Sequence, residues 1–463
     1  MGICGSAMGA LAAMLQARGY EVRGSDSHPY PPMSDALAAL GIPIARGYEA
    51  ANLEWTPDAV VVGNVIRPTY PEAVALRARG IPHASLPQAL AALFLADKTR
   101  VIVTGTHGKT TTASMTAWLL ETAGLAPSFF IGGVTGNWGT NYRLGAGQPF
   151  VVEGDEYDTA YFDKGAKFFH YAPQLASINN LEFDHADIFP DVAAIESTFA
   201  RFAALLPPDG QLFVPAWEPR ALAAARATSA TFVTTALDAP GDIRATDLLT
   251  AATGSTFTLH LRDAPPVRTT LPHAGRHNVA NALMAAGLAH AAGAPPEAIA
   301  RGLATFQLPF KRLTLRGEAL GIPVIDDFAH HPTAIAATLT AIRQQYPGRR
   351  LVALFEAQSN TARRRVFQSA FADALAHADR VWFCRVLDKA SDPLPADQRL
   401  DLAELCADLT ARGTPAAVIP DALALAHEVA ADACPHADVV VAMSGRNFEG
   451  VHGHLLAALA ARA

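Results

Sequence analysis

The chain has 463 residues, of which 50% are hydrophobic and 17% are charged, and its formal net charge is −7 at pH 7. This length exceeds a single hydrophobic core, so the sequence predicts two to four domains, and the composition excludes a disordered protein. The acidic balance excludes a general nucleic-acid binder, which needs a basic face to neutralise phosphates.

Nothing in the sequence indicates a membrane or an exported protein. The apolar runs are rich in alanine and interrupted by charges, so none predicts a transmembrane helix. Met1-Gly2-Ile3 leads directly into a glycine-rich turn, which is not typical of a signal peptide. The cysteines Cys4, Cys384, Cys406 and Cys434 are widely separated and form no CxxC pair, a pattern typical of reduced cytosolic thiols. We therefore expect a cytoplasmic protein without a membrane partner.

Apolar strands alternate with alanine-rich helices, which is the pattern of parallel α/β sheets. We predict three domains, over residues 1–96, 97–314 and 315–463. The first is expected to contain helices over 6–18, 34–40 and 71–79, a strand ending at Asp26 and a strand over 58–63. The second is expected to contain a strand over 99–104, a helix over 110–123, and strands over 150–153 and 175–179. The third is expected to contain a strand over 322–326, helices over 333–345 and 366–376, and strands over 349–355, 380–383, 416–419 and 438–442.

A phosphate-binding loop is the sharpest local signal. Residues 103–111 read Val-Thr-Gly-Thr-His-Gly-Lys-Thr-Thr, between the predicted strand and helix. Backbone amides of such a loop favour phosphates, Lys109 can reach the β- and γ-phosphates, and the Thr110 hydroxyl can bind Mg²⁺. The general P-loop pattern has glycine at position 103, where this chain has valine. The alternative is a plain glycine turn, but Gly-Lys-Thr-Thr in this context favours ATP binding.

Carboxylates follow two later strands and could complete a metal site. Glu153 ends the strand in Val-Val-Glu-Gly-Asp-Glu-Tyr-Asp, residues 151–158, and His185 lies in Asn-Asn-Leu-Glu-Phe-Asp-His-Ala-Asp, residues 179–187. Ligands bind at the carboxyl ends of parallel strands, and Mg²⁺ prefers oxygen atoms, so Glu153 is expected beside Thr110. Spacing alone makes His185 more typical of a structural histidine than of a metal ligand.

The first domain supports a rival interpretation, an NAD-dependent dehydrogenase. Its glycines and Asp26 resemble a dinucleotide fingerprint. However, Gly2, Gly5 and Gly9 form GxxGxxxG rather than GxGxxG, and a dehydrogenase leaves Gly-Lys-Thr-Thr unexplained. A non-catalytic sensor of a sugar nucleotide is a third alternative.

Five motifs together resemble the Mur ligases, which build the peptide stem of peptidoglycan. They are GTHGKTTT at 105–112, EGDEYD at 153–158, NNLEFDHAD at 179–187, GRHNVANALMA at 275–285 and DDFAHHPTAI at 326–335. The resemblance implies a Rossmann-like UDP-binding domain, a central P-loop ATPase domain with a mainly parallel sheet, and a Rossmann-like third domain. The motifs at 30–34, 180–189 and 356–361 resemble the branch that reuses a recovered tripeptide.

The resemblance also implies roles for individual residues. Those expected to bind ATP are Gly105, Thr106, His107, Gly108, Lys109, Thr110, Thr111, Asn281, Arg312 and Asp327. Thr110 and Glu153 would hold one Mg²⁺ and His185 a second metal ion, while Lys109, His185 and His330 would be catalytic. Those expected to bind substrate are Gly2, Gly5, Ser25 and Asp26 for the UDP moiety and Ser359, Asn360 and Arg363 for the acceptor. The alternatives are a solvated hinge at 311–312 and a solvated helix start at 363–365.

The implied reaction is ATP-dependent ligation of the murein tripeptide L-Ala-γ-D-Glu-meso-diaminopimelate to UDP-N-acetylmuramate through an acyl phosphate. The alternative acceptor is free L-alanine. Two departures from the family pattern stand out. Phe199 and Ala200 occupy the region where many Mur ligases carry a carbamoylated lysine, and only Met1 precedes the first glycine turn. We therefore expect no such lysine, and a first strand truncated before the turn.

Overall fold

The computed structural model describes residues 1–31, 33–386 and 392–462. Pro32, within the 30–34 motif, lies outside the described residues. The strands are grouped in a ten-stranded sheet, a six-stranded sheet and two sheets of two strands each. The prediction of an α/β protein with a mainly parallel central sheet is confirmed.

The two small sheets belong to the first domain and are joined through the first residues of the chain. The strands are β1 Gly24–Asp26, β2 Ile44–Arg46, β3 Val60–Val62 and β4 His83–Ser85. The helices are α1 Ser6–Ala17, α2 Met33–Ala39, α3 Pro71–Ala78 and α4 Leu86–Leu90, which continues into a π-helical turn Ala91–Leu95. β1 pairs with β2 and β3 with β4, both in parallel. The Met1 amino group donates to Val61 O, and the Gly2 amide donates to Ser25 O, so this segment lies between the two sheets.

The central domain is built on the ten-stranded sheet. Its strands are β5 Thr99–Thr104, β6 Ser128–Phe130, β7 Tyr142–Arg143, β8 Pro149–Glu153, β9 Leu175–Ile178, β10 Gln211–Pro215, β11 Thr231–Leu237, β12 Ile243–Ala251, β13 Gly254–His260 and β14 Val267–Leu271. Its helices are α5 Lys109–Thr122, α6 Val192–Ala203, α7 Pro219–Ala225, α8 Arg276–Ala291 and α9 Pro296–Thr305. The strand order is β14-β13-β12-β11-β10-β9-β5-β8-β6-β7.

Strand order fixes where the site lies. β5 pairs in parallel with β8 on one side and β9 on the other, so the carboxyl ends of all three strands meet at one edge. The phosphate loop leaves β5 at this edge, and the two carboxylate motifs leave β8 and β9. Ligands bind at this end of an open parallel sheet, in the crevice that forms where the order of the strands reverses. The antiparallel pairs β12–β13, β13–β14 and β6–β7 lie at the two ends of the sheet.

The third domain is a six-stranded sheet between two layers of helices. Its strands are β15 Thr314–Ala319, β16 Ile322–Asp327, β17 Arg350–Phe355, β18 Arg380–Cys384, β19 Ala416–Ile419 and β20 Asp438–Met443, in the order β15-β16-β20-β17-β18-β19. Its helices are α10 Pro332–Gln345, α11 Gln368–Leu375, α12 Leu402–Ala411, α13 Ala422–Asp432 and α14 Val451–Ala460. Every residue of β16 and β20 is buried, as expected for central strands covered on both faces.

Hydrophobic clusters cover both faces of the central sheet. One cluster joins α5, α8 and α9 to the sheet. The other joins α4, α6 and α7 to the opposite face and includes Ala10, Leu11 and Met14 of α1. α6 buries Ile195, Phe199, Phe202 and Ala203 at helical spacing, which makes it an amphipathic helix. Phe199 is fully buried against Phe168, so this position belongs to the core and not to a metal site.

The elements predicted from the sequence were found with ends shifted by up to two residues, with one exception. The predicted helix over 366–376 begins as a 3-10 turn at Arg365–Phe367 and becomes α-helical only at Gln368–Leu375. Further 3-10 turns cover Ala50–Leu53, Lys167–His170, Ala396–Gln398 and Phe448–Gly450. Within the described part of the chain, no helix has the length and apolar character needed to span a bilayer.

Candidate active site

The phosphate loop packs so closely on its neighbours that two of its glycines cannot be replaced without a clash. Gly105 has φ +129°, and a Cβ there would lie 2.9 Å from the Asn179 amide nitrogen. Gly108, which precedes α5, has φ +78°, and its Cβ would lie 2.6 Å from Asn281 Oδ1. Residues that carry a Cβ rarely adopt such backbone φ angles. The loop therefore rests on Asn179 after β9 and on Asn281 of α8.

Lys109 is mostly buried, and it is held by its own loop and by one carboxylate. Its Nζ donates to Gly105 O at 2.7 Å and to Glu156 Oε2 at 2.9 Å. The side chains of Lys109 and Glu156 are only 11% and 3% exposed. Burial alone would lower the pKa of Lys109, but the charges of Glu156, Asp155 and Glu153 outweigh it and raise that pKa. The loop thus presents a permanent positive charge at the position of a phosphate chain.

Thr110 and Glu153 form a pair of oxygen donors beside this lysine. The Thr110 hydroxyl donates to Glu153 Oε1 at 2.9 Å, and the Gly132 amide donates to Glu153 Oε2 at 2.7 Å. Burial and the charge of Asp155 raise the pKa of Glu153. A carboxylate that is hard to ionise without a nearby cation, next to a hydroxyl, suits a hard dication such as Mg²⁺.

His185 faces Glu156 rather than Glu153. His185 Nε2 lies 3.3 Å from Glu156 Oε1. The imidazole ring of His185 contacts the Tyr157 ring in a tilted arrangement, with centroids 5.1 Å apart. Burial would lower the pKa of His185, but Glu156 and Asp184 outweigh it and raise that pKa. Glu156 therefore bridges Lys109 and His185, a role that the sequence analysis had not assigned to it. The run of acidic residues at 153–156 was the available signal, but it did not distinguish Glu156 from its neighbours.

The third domain supplies the opposite wall of the site. Asp327 ends β16, and its carboxylate accepts from the Leu313 amide at 2.8 Å and the Ala329 amide at 2.9 Å. The guanidinium of Arg312 lies 5.1 Å from the centre of the Phe328 ring. His330 Nδ1 lies 2.9 Å from Phe328 O, so Nδ1 must carry the proton because a carbonyl only accepts. Burial lowers the pKa of His330, which leaves Nε2 of the neutral ring as a proton acceptor.

These walls enclose a cleft of about 1140 Å³. The predicted residues that line it are Thr106, His107, Gly108, Lys109, Thr110, Thr111, Glu153, His185, Asn281, Arg312, Asp327, His330 and Ser359. The first domain reaches the cleft through Ser6, at the start of α1. Residues predicted from separate motifs of the central and third domains thus lie around one cavity.

The predicted UDP-binding residues form a separate turn in the first domain. Gly2 has φ +77°, and its amide and that of Ile3 both donate to Ser25 O. The Asp26 carboxylate accepts from the Cys4 amide at 3.0 Å and the His28 amide at 3.1 Å. Asp26 and Ser25 are 9% and 2% exposed, so they stabilise the turn from within. Gly5, whose amide donates to Gly2 O, belongs to the same turn.

Two of the three predicted acceptor residues lie away from the cleft lining. Ser359 lines it, and its hydroxyl accepts from the Ala362 amide. Asn360 instead donates to Asp187 Oδ2 at 2.8 Å, which connects the third domain to the central one. Arg363 is 3% exposed, and its guanidinium donates to Asp392 O. The alternative of a solvated helix start is therefore wrong for the buried Arg363. Its neighbours form ion pairs, Arg364 with Asp392 at 2.9 Å and Arg365 with Glu404 at 2.5 Å.

Three family models match consecutive parts of the chain. The Mur ligase family catalytic domain matches residues 1–98, the Mur ligase middle domain 103–289, and the Mur ligase glutamate ligase domain 311–446.

The same similarity extends over whole relatives. The chain is 40% identical to the UDP-N-acetylmuramate–L-alanyl-γ-D-glutamyl-meso-2,6-diaminoheptandioate ligase of Escherichia coli K12, over 100% of this chain and 98% of that protein. It is 39% identical to the UDP-N-acetylmuramate–L-alanine ligase of Kineococcus radiotolerans, over 85% of this chain and 82% of that protein. The crystal structure of a murein peptide ligase from Psychrobacter arcticus matches with a TM-score of 0.74 and 34% identity, over 99% and 98% of the two chains.

Proposed function

The chain belongs to the Mur ligase family of ATP-dependent ligases, and we propose that it joins the tripeptide L-Ala-γ-D-Glu-meso-diaminopimelate to UDP-N-acetylmuramate. The observation that carries the proposal is the single cleft in which Lys109, Glu153 and His185 face Asp327 and His330. Full-length similarity to the Escherichia coli tripeptide ligase supports this acceptor. Family membership removes the dehydrogenase and sensor alternatives.

The proposed reaction begins with transfer of the ATP γ-phosphoryl group to the carboxylate of UDP-N-acetylmuramate. Lys109 would offset negative charge on the transferring group, because catalysis of phosphoryl transfer rests on positioning and electrostatics. Residues 105–111 would hold the phosphates through their amides, with Asn281 at the adenine, Asp327 at the ribose and Arg312 near the phosphates. The acyl phosphate formed would then react with the amine of the tripeptide and release inorganic phosphate.

His330 has the geometry of a proton acceptor for that amine. Its Nδ1 proton is committed to Phe328 O, so Nε2 is left to take a proton from the attacking nitrogen. An amine is a nucleophile only after it has lost its extra proton, so a neutral imidazole at the cleft suits this step. We propose that His330 removes this proton before the tetrahedral intermediate collapses to the amide.

The metal requirement rests on the donor set. We propose that Thr110 and Glu153 hold one Mg²⁺ and that His185 contributes to a second metal ion, with Glu156 beside it. Mg²⁺ bound there would offset charge on the phosphates. The carboxyl ends of β5, β8 and β9 bring these donors together without the carbamoylated lysine of other family members, whose region holds the buried Phe199.

The remaining contacts concern the two substrates. The turn of Gly2, Gly5, Ser25 and Asp26 would receive the uridine diphosphate, and Ser359 at the cleft would meet the acceptor. Asn360 and Arg363 would act on the acceptor by shaping the segment that carries Ser359, since their side chains bind Asp187 and Asp392. Because ATP and nucleotide sugars are cytoplasmic metabolites, we propose that the reaction takes place in the cytoplasm.

Free L-alanine is the second candidate acceptor, because the Kineococcus radiotolerans relative is named a UDP-N-acetylmuramate–L-alanine ligase. Measuring kcat/KM for ligation of each acceptor to UDP-N-acetylmuramate separates the two, because specificity resides in that ratio. We expect the tripeptide to be favoured. A ratio that favours alanine would overturn the proposed acceptor and leave the ligase chemistry intact. Absence of ATP-dependent product with both acceptors would overturn the proposed function itself.

A further inference from the structure

Two histidines and a glutamate converge where the phosphate loop meets the third domain. His107 lies in the loop, Glu182 follows β9, and His331 is the residue before α10. One potential ligand atom from each residue lies within 4.8 Å of the other two. Among the described residues, this is the one group of three or more histidine, cysteine or acidic side chains that lie close enough together to share a metal ion. The catalytic scheme above uses none of the three side chains.

The Glu182 carboxylate is oriented so that one oxygen atom faces both imidazole rings. Its Oε1 accepts from the Thr333 hydroxyl at 2.9 Å. Its Oε2 lies 2.8 Å from His107 Nε2 and 3.4 Å from His331 Nδ1. The two rings are 4.6 Å apart between centroids. Thr333 therefore positions the carboxylate in the way that outer-shell hydrogen bonds position metal ligands.

The two distances from Glu182 Oε2 to the imidazole nitrogens are close to those around a tetrahedral ion. Bonds of about 2.0–2.1 Å to nitrogen and oxygen place neighbouring ligand atoms about 3.3 Å apart. The separations of 2.8 Å and 3.4 Å from Glu182 Oε2 bracket that value, and the ligand atoms of His107 and His331 lie within 4.8 Å of each other. The side chains of His107 and Glu182 are 19% and 28% exposed, which leaves room for water as a fourth ligand.

The protonation states of His331 and Glu182 also suit coordination. Burial and the charge of His107 lower the pKa of His331 to about 4, so its ring is neutral at pH 7. Burial opposes ionisation of Glu182, but the contacts with His107 and His331 outweigh it and lower its pKa to about 2. His331 Nε2 is buried without a hydrogen-bond partner. Its Nδ1 accepts from the Thr333 amide at 3.4 Å, and a metal ion on that nitrogen would replace this long hydrogen bond.

We propose that His107, Glu182 and His331 form a site for a divalent transition-metal ion of the Zn²⁺ type, distinct from the Mg²⁺ site at Thr110 and Glu153. Two imidazoles and one carboxylate suit Zn²⁺ or Co²⁺, whereas Mg²⁺ prefers oxygen atoms. The ion would bind the phosphate loop through His107 and the third domain through His331. Its occupancy would hold the third domain against the loop.

Co²⁺ is the probe, because its visible absorption is intense in tetrahedral sites and weak in octahedral ones. The full chain would be freed of metal by a chelator and titrated with Co²⁺ in excess Mg²⁺, which occupies the oxygen-donor site. We expect intense bands at one Co²⁺ per chain, which Zn²⁺ displaces. Glu182→Gln and His331→Ala should abolish the bands, and Thr333→Val should weaken Co²⁺ binding by about 10–100-fold, as loss of an outer-shell partner does.

His185→Ala and His330→Ala are the matched controls, since both histidines lie in the same cleft but outside the proposed site. Both should keep the bands. Circular dichroism of each variant verifies that it is folded, and Glu182→Gln preserves side-chain volume if His331→Ala proves unstable. Bands that persist in folded Glu182→Gln, or that vanish only in His185→Ala, would overturn the proposal. So would the absence of intense bands in the parent chain, because the cluster would then be an ion pair alone.

Discussion

Lys109 Nζ lies 2.9 Å from Glu156 Oε2, so the lysine of the phosphate loop is paired with a buried carboxylate. An incoming triphosphate must compete with Glu156 for this charge. The same carboxylate lies against His185, so exchange of partners at Lys109 would change the environment of His185.

Removal of the lysine should affect turnover far more than folding. We expect Lys109→Ala to lower ATP-dependent product formation by about 10²–10³-fold, because one preorganised charge contact to the transferring phosphoryl group is lost. Lys164→Ala is the control, since Lys164 is 68% exposed and pairs with Asp158 outside the cleft. Steady-state turnover of both variants is the measurement. Near-normal turnover in a folded Lys109→Ala protein would remove the loop from the mechanism.

Neutralising Glu156 should strengthen nucleotide binding when no metal ion is present. In Glu156→Gln the side chain keeps a hydrogen-bond acceptor for Lys109 but no longer repels phosphate oxygens. We expect ADP to bind about tenfold more tightly in the presence of a chelator, by calorimetric titration. Glu121→Gln, at the far end of α5, should leave the affinity unchanged. An equal or weaker affinity in Glu156→Gln would show that Glu156 does not compete with the phosphates.

Two glycines separate the effect of backbone strain from that of close packing. Gly108 and Gly124 have φ values of +78° and +75°, but a Cβ meets Asn281 Oδ1 at 2.6 Å in the first and nothing within 4 Å in the second. Both alanine variants should lose about 1–2 kcal/mol of stability through the left-handed backbone. We expect Gly108→Ala also to lose nucleotide affinity, and Gly124→Ala to retain it. Equal affinities of the two variants for ADP would contradict the packing argument.

His331 should make the stability of the metal-free protein depend on pH. Its pKa is lowered to about 4 in the folded chain, so the unfolded chain binds a proton more readily below about pH 6.5. The contribution of His331 to the free energy of unfolding is therefore fully present above that pH. It decreases as the pH is lowered to about 4, by an amount on the order of 3 kcal/mol. His331→Asn keeps a side-chain acceptor at the start of α10 and does not titrate. Calorimetry should show a smaller decrease in its melting temperature over this range, and parallel decreases would contradict the assignment.

The arginines at 363–365 should differ in how much they contribute to the free energy of unfolding. Removal of the buried Arg363, which binds Asp392 O, should cost about 3 kcal/mol of unfolding free energy. Arg365 is 44% exposed in its pair with Glu404, so Arg365→Ala should cost less than about 1 kcal/mol. Urea denaturation of the two variants is the test. An unaffected Arg363→Ala protein with poor tripeptide turnover would instead favour direct contact with the acceptor.

The phosphate loop was predictable because its requirements are local. The glycines allow the positive φ values, and Lys109 and Thr110 begin the helix. The role of Glu156 was not predictable, because Glu153 ends β8, Asp155 and Glu156 follow it, and only the turn after β8 determines which of them meets Lys109. Arg363 illustrates the same limit, since the residue that binds it, Asp392, is distant in sequence. The antiparallel end of the central sheet, over 243–271, carries no motif and was missed for that reason.

The packing of α1 bears on how the chain can be divided. Ala10, Leu11 and Met14 belong to the same hydrophobic cluster as Leu90, Phe94 and Ile102, so the first domain and the central sheet share a core. A fragment cut at the family boundary near residue 98 would expose this apolar surface to water on both pieces. Swapping the first domain between relatives would therefore require the matching face of the central sheet to be transplanted with it.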